Sequence, residues 1–144
     1  MEIRSWTYED IYAIAALEQA CFRDPWSYRM LADTFFQDST LALAAFEGGK
    51  VLGYGFLVVA GEEADVADIA VAPDSRRRGV GQALLGALEE AAKARGVKKL
   101  FLEVRVSNAP AMLLYLRGGF AGSYVRPRYY EDGEDALVMT KRIG

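Results

Sequence analysis

The chain of 144 residues contains no histidine and a single cysteine, Cys21. Without histidine it lacks the commonest metal ligand and the commonest general base, which excludes zinc chemistry and Ser-His or Cys-His triads. One cysteine excludes an intramolecular disulfide framework. No apolar run reaches the roughly 18 residues needed to span a bilayer, and no basic segment followed by an apolar run opens the sequence. The expectation is a cytoplasmic protein that engages no membrane. Charge of one sign is also scarce: the formal net charge is −3. That balance argues against a direct binder of nucleic acid and leaves small molecules and proteins as partners.

What is present is apolar material, 52% of the residues, ample for one core, and the length suits one domain over residues 1–144. The most informative stretch runs from Asp68 to Leu85. It reads as an apolar strand stopped by Pro73, a turn holding Arg76, Arg77, Arg78, Gly79 and Gly81, and the start of an amphipathic helix with Val80, Leu84, Leu88 and Ala91 as its buried stripe. Glycines let backbone N–H groups approach an anion, while the helix N-terminus and the arginines add positive charge. The turn is therefore a candidate site for a phosphate-bearing ligand. It lacks the lysine and hydroxyl ending of a Walker loop and is a poor dinucleotide fingerprint.

Around this turn the periodicity predicts a strand from Glu2 to Trp6, a helix from Tyr8 to Cys21 capped by Thr7, a break at Pro25, and a second helix capped by Ser27 and running to Phe36. Strands at Thr40–Phe46, Val51–Ala60 and Asp65–Val71 form an antiparallel meander. In the third of them Val66, Asp68 and Ala70 alternate with Ala67, Ile69 and Val71. The long helix ends at Gly96 and leads to a strand over Lys99–Arg105, whose pairing with the third meander strand should be parallel. A short helix begins at Ser107 or Asn108 and ends at Gly118, and strands Phe120–Tyr130 and Ala136–Lys141 close a hairpin.

Three groups of residues carry a resemblance. The first is the Arg-x-x-Gly-x-Gly spacing after an apolar strand. The second is Leu102-Glu103-Val104-Arg105 with Asn108, Leu114-Tyr115 and Gly119-Phe120. The third is Pro25-Trp26-Ser27 with Arg128-Tyr129-Tyr130. Over essentially its whole length the chain resembles the GNAT acetyltransferases, and within them the RimI subgroup, the ribosomal-protein-alanine N-acetyltransferases. The resemblance implies a mixed α/β GNAT fold: about seven mostly antiparallel strands, about four helices, and splayed fourth and fifth strands. It implies acetyl transfer from acetyl-coenzyme A, without a metal, to the N-terminal α-amine of a protein, the alanine of a small-subunit ribosomal protein, by direct attack in a ternary complex. Other N-termini, lysines or small amines are the rival acceptors, and a coenzyme-binding module without turnover is the rival of another class.

With histidine absent, the base must be a carboxylate, a tyrosine or a water relay, and Glu103 is the best-placed candidate. The resemblance implies the same residue, and Tyr115 as the acid for the departing thiolate. It also implies that Ile69, Ala70 and Val71 offer backbone to the pantetheine arm, that Asn108 hydrogen-bonds its amides, and that Arg76 to Gln82 receive the phosphates. Capping is the alternative for Asn108. Trp26, Ser27, Arg128, Tyr129 and Tyr130 are the candidates for holding the acceptor, with plain core packing as the alternative for the aromatics. Asp68 could assist the base or ligate the acceptor amine and ranks below Glu103. Asp24 stands where the subgroup has phenylalanine, which bears on acceptor recognition.

Overall fold

The computed structural model describes residues 1–144, which build one seven-stranded sheet in the order β1-β2-β3-β4-β5-β7-β6. The elements are β1 (Glu2–Ser5), α1 (Ile11–Cys21), α2 (Tyr28–Phe35), β2 (Thr40–Glu47), β3 (Lys50–Ala60), β4 (Glu63–Val71), α3 (Val80–Ala94), β5 (Lys99–Arg105), α4 (Ala109–Arg117), β6 (Ala121–Arg126) and β7 (Ala136–Arg142). Every pairing is antiparallel except β4 with β5.

Two apolar clusters sandwich the sheet. Val80, Leu84, Leu85, Leu88 and Ala92 of α3 pack with Leu100, Leu102, Val104 and Phe120 on one face. Trp6, Ile11, Ile14, Leu31, Tyr54 and Phe56 form the cluster under α1 and α2 on the other. Sandwiched between them, β3 reads as a continuous buried run from Val51 to Leu57. Its Gly53 and Gly55 let α3 sit close. A Cβ at Gly55 would lie 2.9 Å from a Leu88 methyl, and one at Gly53 would lie 2.8 Å from the Ala70 carbonyl oxygen.

The strand that begins the phosphate turn departs from simple alternation. Leu57 pairs with Val66 and Phe56 with Asp68, so Ala67 is an extra, bulged residue. Val66 and Ile69 therefore join the α3 cluster, whereas Ala70 joins the α1–α2 cluster. The expected face shared by Val66 and Ala70 is broken by that bulge. Beyond it, β4 leaves β5: their parallel pairing covers only Glu63–Lys99, Ala64–Leu100 and Asp65–Phe101. The splay opens a gap between the C-terminal halves of the two strands.

Several boundaries shift for local reasons. Trp6 leaves β1 to stack on Phe35 and donate its indole N–H to the Leu43 carbonyl. Tyr8 to Asp10 form a 3-10 turn, with the Thr7 N–H donating to the Asp10 carboxylate, so α1 starts at Ile11. The α3 stripe ends on Ala92 instead of Ala91. β6 stops at Arg126 because Arg128 adopts φ +50° and its N–H turns to the Asp135 carboxylate. Residues 127–135 thus form a loop over one end of the sheet.

Candidate active site

Between the splayed strands lie two cavities that share a wall. The first, about 610 Å³, is bordered by Ile69 to Val71, the turn from Arg76 to Gln82 except Arg78, and α4. The second, about 440 Å³, opens toward α1 and the loop after β6 and is bordered by Asp68, Glu103, Trp26 and Tyr130. Cys21, Ile69, Asn108 and Tyr115 border both.

The first cavity takes its chemistry from backbone geometry. Arg77 and Gly79 have φ of +65° and +78°, which makes a concave turn into the N-terminus of α3. None of the backbone N–H groups from Arg77 to Gln82 donates to an acceptor in the protein, so they form a cradle for an anion. The side chains divide the work. Arg76 lies along the wall, its Nε donating to the Val71 carbonyl at 3.1 Å. Arg78 turns away to Glu47 at 2.9 Å and borders neither cavity. Gln82 donates to the Leu114 carbonyl at 3.0 Å, tying α3 to α4. Beside them the edge of β4 past Asp65 has no strand to pair with, which leaves its backbone open to an extended ligand.

Asn108 both caps and lines. Its Oδ1 accepts from the Ala111 N–H at 3.2 Å, leaving the amide N–H₂ for the cavities. Tyr115, on α4, is buried at 7% exposure with its ring edge-on to Phe120. Burial, then the nearby Asp68 carboxyl, push its phenol well above the ordinary tyrosine range. It is a protonated hydroxyl at the junction of two cavities.

In the second cavity Glu103 projects from the β5 face opposite Leu102 and Val104, and its Oε2 accepts from the Tyr129 hydroxyl at 2.8 Å. That hydrogen bond, ahead of burial, lifts the Tyr129 phenol to about 12. Arg105 binds three carboxylates, those of Asp24, Asp132 and Glu134, and its guanidinium lies 4.1 Å from the Tyr130 ring centre. Trp26 packs edge-on against Phe56 and its backbone N–H donates to Glu18. Ser27 serves α2 as its cap, accepting from Met30 N–H, and Arg128 holds the loop through its backbone; neither borders the cavity.

The profile of the acetyltransferase (GNAT) family matches residues 11–120. The chain belongs to the GNAT acetyltransferases. It is 38% identical to the [ribosomal protein bS18]-alanine N-acetyltransferase of Escherichia coli K12, over 98% of this chain and 97% of that one. It is 33% identical to an N-alpha-acetyltransferase of Sulfurisphaera tokodaii over 95% and 90% of the two chains. The crystal structure of the ribosomal-protein-S18-alanine N-acetyltransferase from E. coli superimposes with a TM-score of 0.91 at 37% identity, covering 99% of this chain and 94% of that one.

As a GNAT acetyltransferase the chain uses acetyl-coenzyme A as donor, and the first cavity fits it. The unpartnered amides and Arg76 and Arg77 suit pyrophosphate, and the free β4 edge suits an amide-bearing arm. Gly81 keeps the turn open toward α4, since a Cβ there would come within 3.2 Å of a Leu114 methyl. The sequence reading missed Glu18, Asp65 and the Arg105 cluster. Glu18 is one glutamate on a helix and its partner Asp68 is fifty residues away, so no local pattern could join them. No helix is long and apolar enough to cross a membrane.

Proposed function

We propose that this acetyltransferase acts on the N-terminal α-amine of a protein, the alanine of ribosomal protein bS18, with residues 1–144 working as one cytoplasmic catalytic domain. One observation carries the reading: a phosphate-receiving cavity and a carboxylate-bearing cavity meet at Tyr115 and Asn108. The near full-length similarity to bS18-alanine N-acetyltransferases supports the choice of acceptor.

The roles follow from the chemistry. Bound acetyl-coenzyme A supplies an acyl group on a thioester. An α-amine, with a pKa of about 7.7 to 8.0, is neutral in roughly a tenth of molecules at pH 7, against about one in two thousand for a lysine near 10.4. A carboxylate therefore suffices as base for an N-terminus. Glu103 takes the amine proton, directly or through one water, and the freed lone pair attacks the thioester carbonyl. Tyr115, held protonated by burial, delivers a proton to the departing thiolate and is restored by the second proton that the acylated nitrogen sheds. Ile69 to Val71 and Asn108 orient the donor arm, the amides of Arg77 to Gln82 with Arg76 hold its phosphates, and Arg78 contributes backbone rather than its paired guanidinium. Trp26 and Tyr130 bound the acceptor space, Tyr129 orients Glu103, and Ser27 and Arg128 shape the loops that carry them.

A screen of acceptors with acetyl-coenzyme A tests the reading. Free-amine peptides beginning with alanine should be acetylated, and N-blocked lysine peptides and polyamines should not. A broader choice of first residues is the second reading, favoured by the similarity to an N-alpha-acetyltransferase. Equal rates across several first residues would support it. Transfer to lysine alone, or coenzyme binding without transfer to any amine, would overturn both.

A further inference from the structure

Beneath the second cavity two carboxyl groups are buried against each other, and the mechanism above uses neither. Glu18 on α1 is 1% exposed and Asp68 on β4 is 9% exposed, and both border the cavity. Glu18 Oε1 accepts from the Tyr54 hydroxyl at 2.6 Å, and its Oε2 accepts from the Trp26 backbone N–H at 3.0 Å. Accepting through both oxygens is the duty of an ionised carboxylate. Asp68 is the opposite case: its Oδ2 is buried and has no donor. Burial, and then its contact with Glu18, push Asp68 far above the usual carboxylate range. As an acid, Asp68 donates to Glu18, and two carboxyls share one proton and one negative charge.

Nothing cationic in the protein answers that charge. Tyr54 from β3, Cys21 from α1 and Tyr115 from α4 face the pair and are neutral. Arg76 stands beyond Cys21, its guanidinium 3.7 Å from the sulfur. Arg23 and Arg105, the cations bordering the cavity, are held by Asp132, Asp24 and Glu134. An unpaired buried charge is costly unless a ligand pairs with it.

We propose that the Glu18–Asp68 pair is the ammonium-recognising floor of the acceptor cavity, binding the amine in its charged form before Glu103 removes the proton. The proposal rests on the reading of the acceptor as a protein N-terminus. One N–H bond of the ammonium breaks as an O–H bond forms on Glu103. The freed lone pair then forms the C–N bond as the C–S bond breaks, the thiolate takes the Tyr115 proton, the second N–H proton restores Tyr115, and the pair keeps its own proton.

Two unreactive peptides test this, identical but for the first position: N,N-dimethylalanine, which is cationic, and lactate, which is neutral. Their Kd values are measured by calorimetry on the intact chain saturated with coenzyme A. The wild type should prefer the cationic peptide by about tenfold to a hundredfold, the range of a hydrogen bond to a charged group. Glu18→Gln should reduce the preference to about twofold or less by weakening the cationic peptide alone. Asp68→Asn should keep it, because a neutral amide donates to Glu18 as the acid does. Equal affinities in the wild type would overturn the proposal without any variant, as would an unchanged preference in Glu18→Gln. Loss of the preference in Asp68→Asn would overturn the shared proton. Should Glu18→Gln fail to fold by circular dichroism, Glu103→Gln decides: a preference kept there belongs to the pair, and one lost there belongs to Glu103 and overturns the proposal. The proposed function fails differently: the wild type would then leave an alanine-initiated peptide unacetylated in a turnover assay.

Discussion

A glutamate between two leucine-like neighbours on a strand is ordinarily a solvated position, and what distinguishes Glu103 is its company. It borders the cavity shared with Tyr115 and accepts from the Tyr129 hydroxyl. Glu103→Gln should lower kcat for an alanine peptide by roughly a hundredfold or more, the usual contribution of a positioned base. Because the carboxylate is what lifts the Tyr129 phenol to about 12, the same variant should bring that phenol down toward 10. A spectroscopic pH titration against Tyr129→Phe reads it. An unmoved kcat with a shifted phenol would leave the hydrogen bond and remove the base. For Tyr115→Phe the expected result is a kcat loss of similar size with coenzyme Kd within about threefold, since its ring packing on Phe120 is kept. Loss of coenzyme affinity at unchanged kcat would make Tyr115 a binding residue. These two residues were legible in the sequence because each sits in a short local pattern. Glu18 and Asp65 were not, because burial and proximity to another carboxylate are tertiary properties.

At the scale of elements, β4 decides how the donor is received. Its bulge at Ala67 bends the strand away from β5 after three paired positions, and the free edge follows from that bend. Deleting Ala67 leaves Leu57 opposite Val66 and Phe56 opposite Asp68, so the faces are kept and the bend is lost. The variant should fold and bind coenzyme A at least about tenfold more weakly, as calorimetry beside a thermal melt would show. Where the strands still touch, Asp65 lies beside Glu103, and burial followed by that charge raises Asp65 from 3.8 to about 6. A raised carboxyl favours its neutral form in the fold, so its cost is absent below about pH 4, grows between 4 and 6, and is complete above. At about 1.4 kcal/mol per unit, discounted for its partial exposure, Asp65→Asn should stabilise the protein by roughly 1 to 2 kcal/mol at pH 7 and little at pH 4. Urea melts at the two pH values check the sign. The donor turn was legible because strand, turn and helix start are contiguous. The bulge was not: Ala67 carries no turn signal, and the period-two pattern ran across it.

On the scale of the molecule, the phosphate turn is one stretch of chain, from β4 to the start of α3, while the second cavity, proposed for the acceptor, is assembled from distant segments. Arg105 joins them, gripping Asp24 of the loop between α1 and α2 and both Asp132 and Glu134 of the loop after β6, with Arg23 bound to Asp132 as a second tie. Asp24 is thereby part of a clasp over the second cavity. Sequence could single out the two loops but not their union, since the linking contacts span up to 109 residues. Arg105→Gln should raise KM for the peptide about tenfold and leave KM for acetyl-coenzyme A within about twofold, because the clasp borders only the second cavity. The same clasp has an acid limit. Asp132 is held below 3.8 by the Glu134 N–H and then by Arg105, and Glu134 below 4.5 by Ser107 and then by Arg105. Depressed carboxylates keep their contribution above the ordinary values and lose it as pH falls through the lowered ones. Peptide affinity in the wild type should therefore hold down to about pH 4 and fail below it, whereas Arg105→Gln should show no such step. Peptide Kd measured from pH 6 to pH 3 with coenzyme A bound, in both proteins, gives the comparison. A step of the same size in the variant would place the acid sensitivity elsewhere than in the clasp.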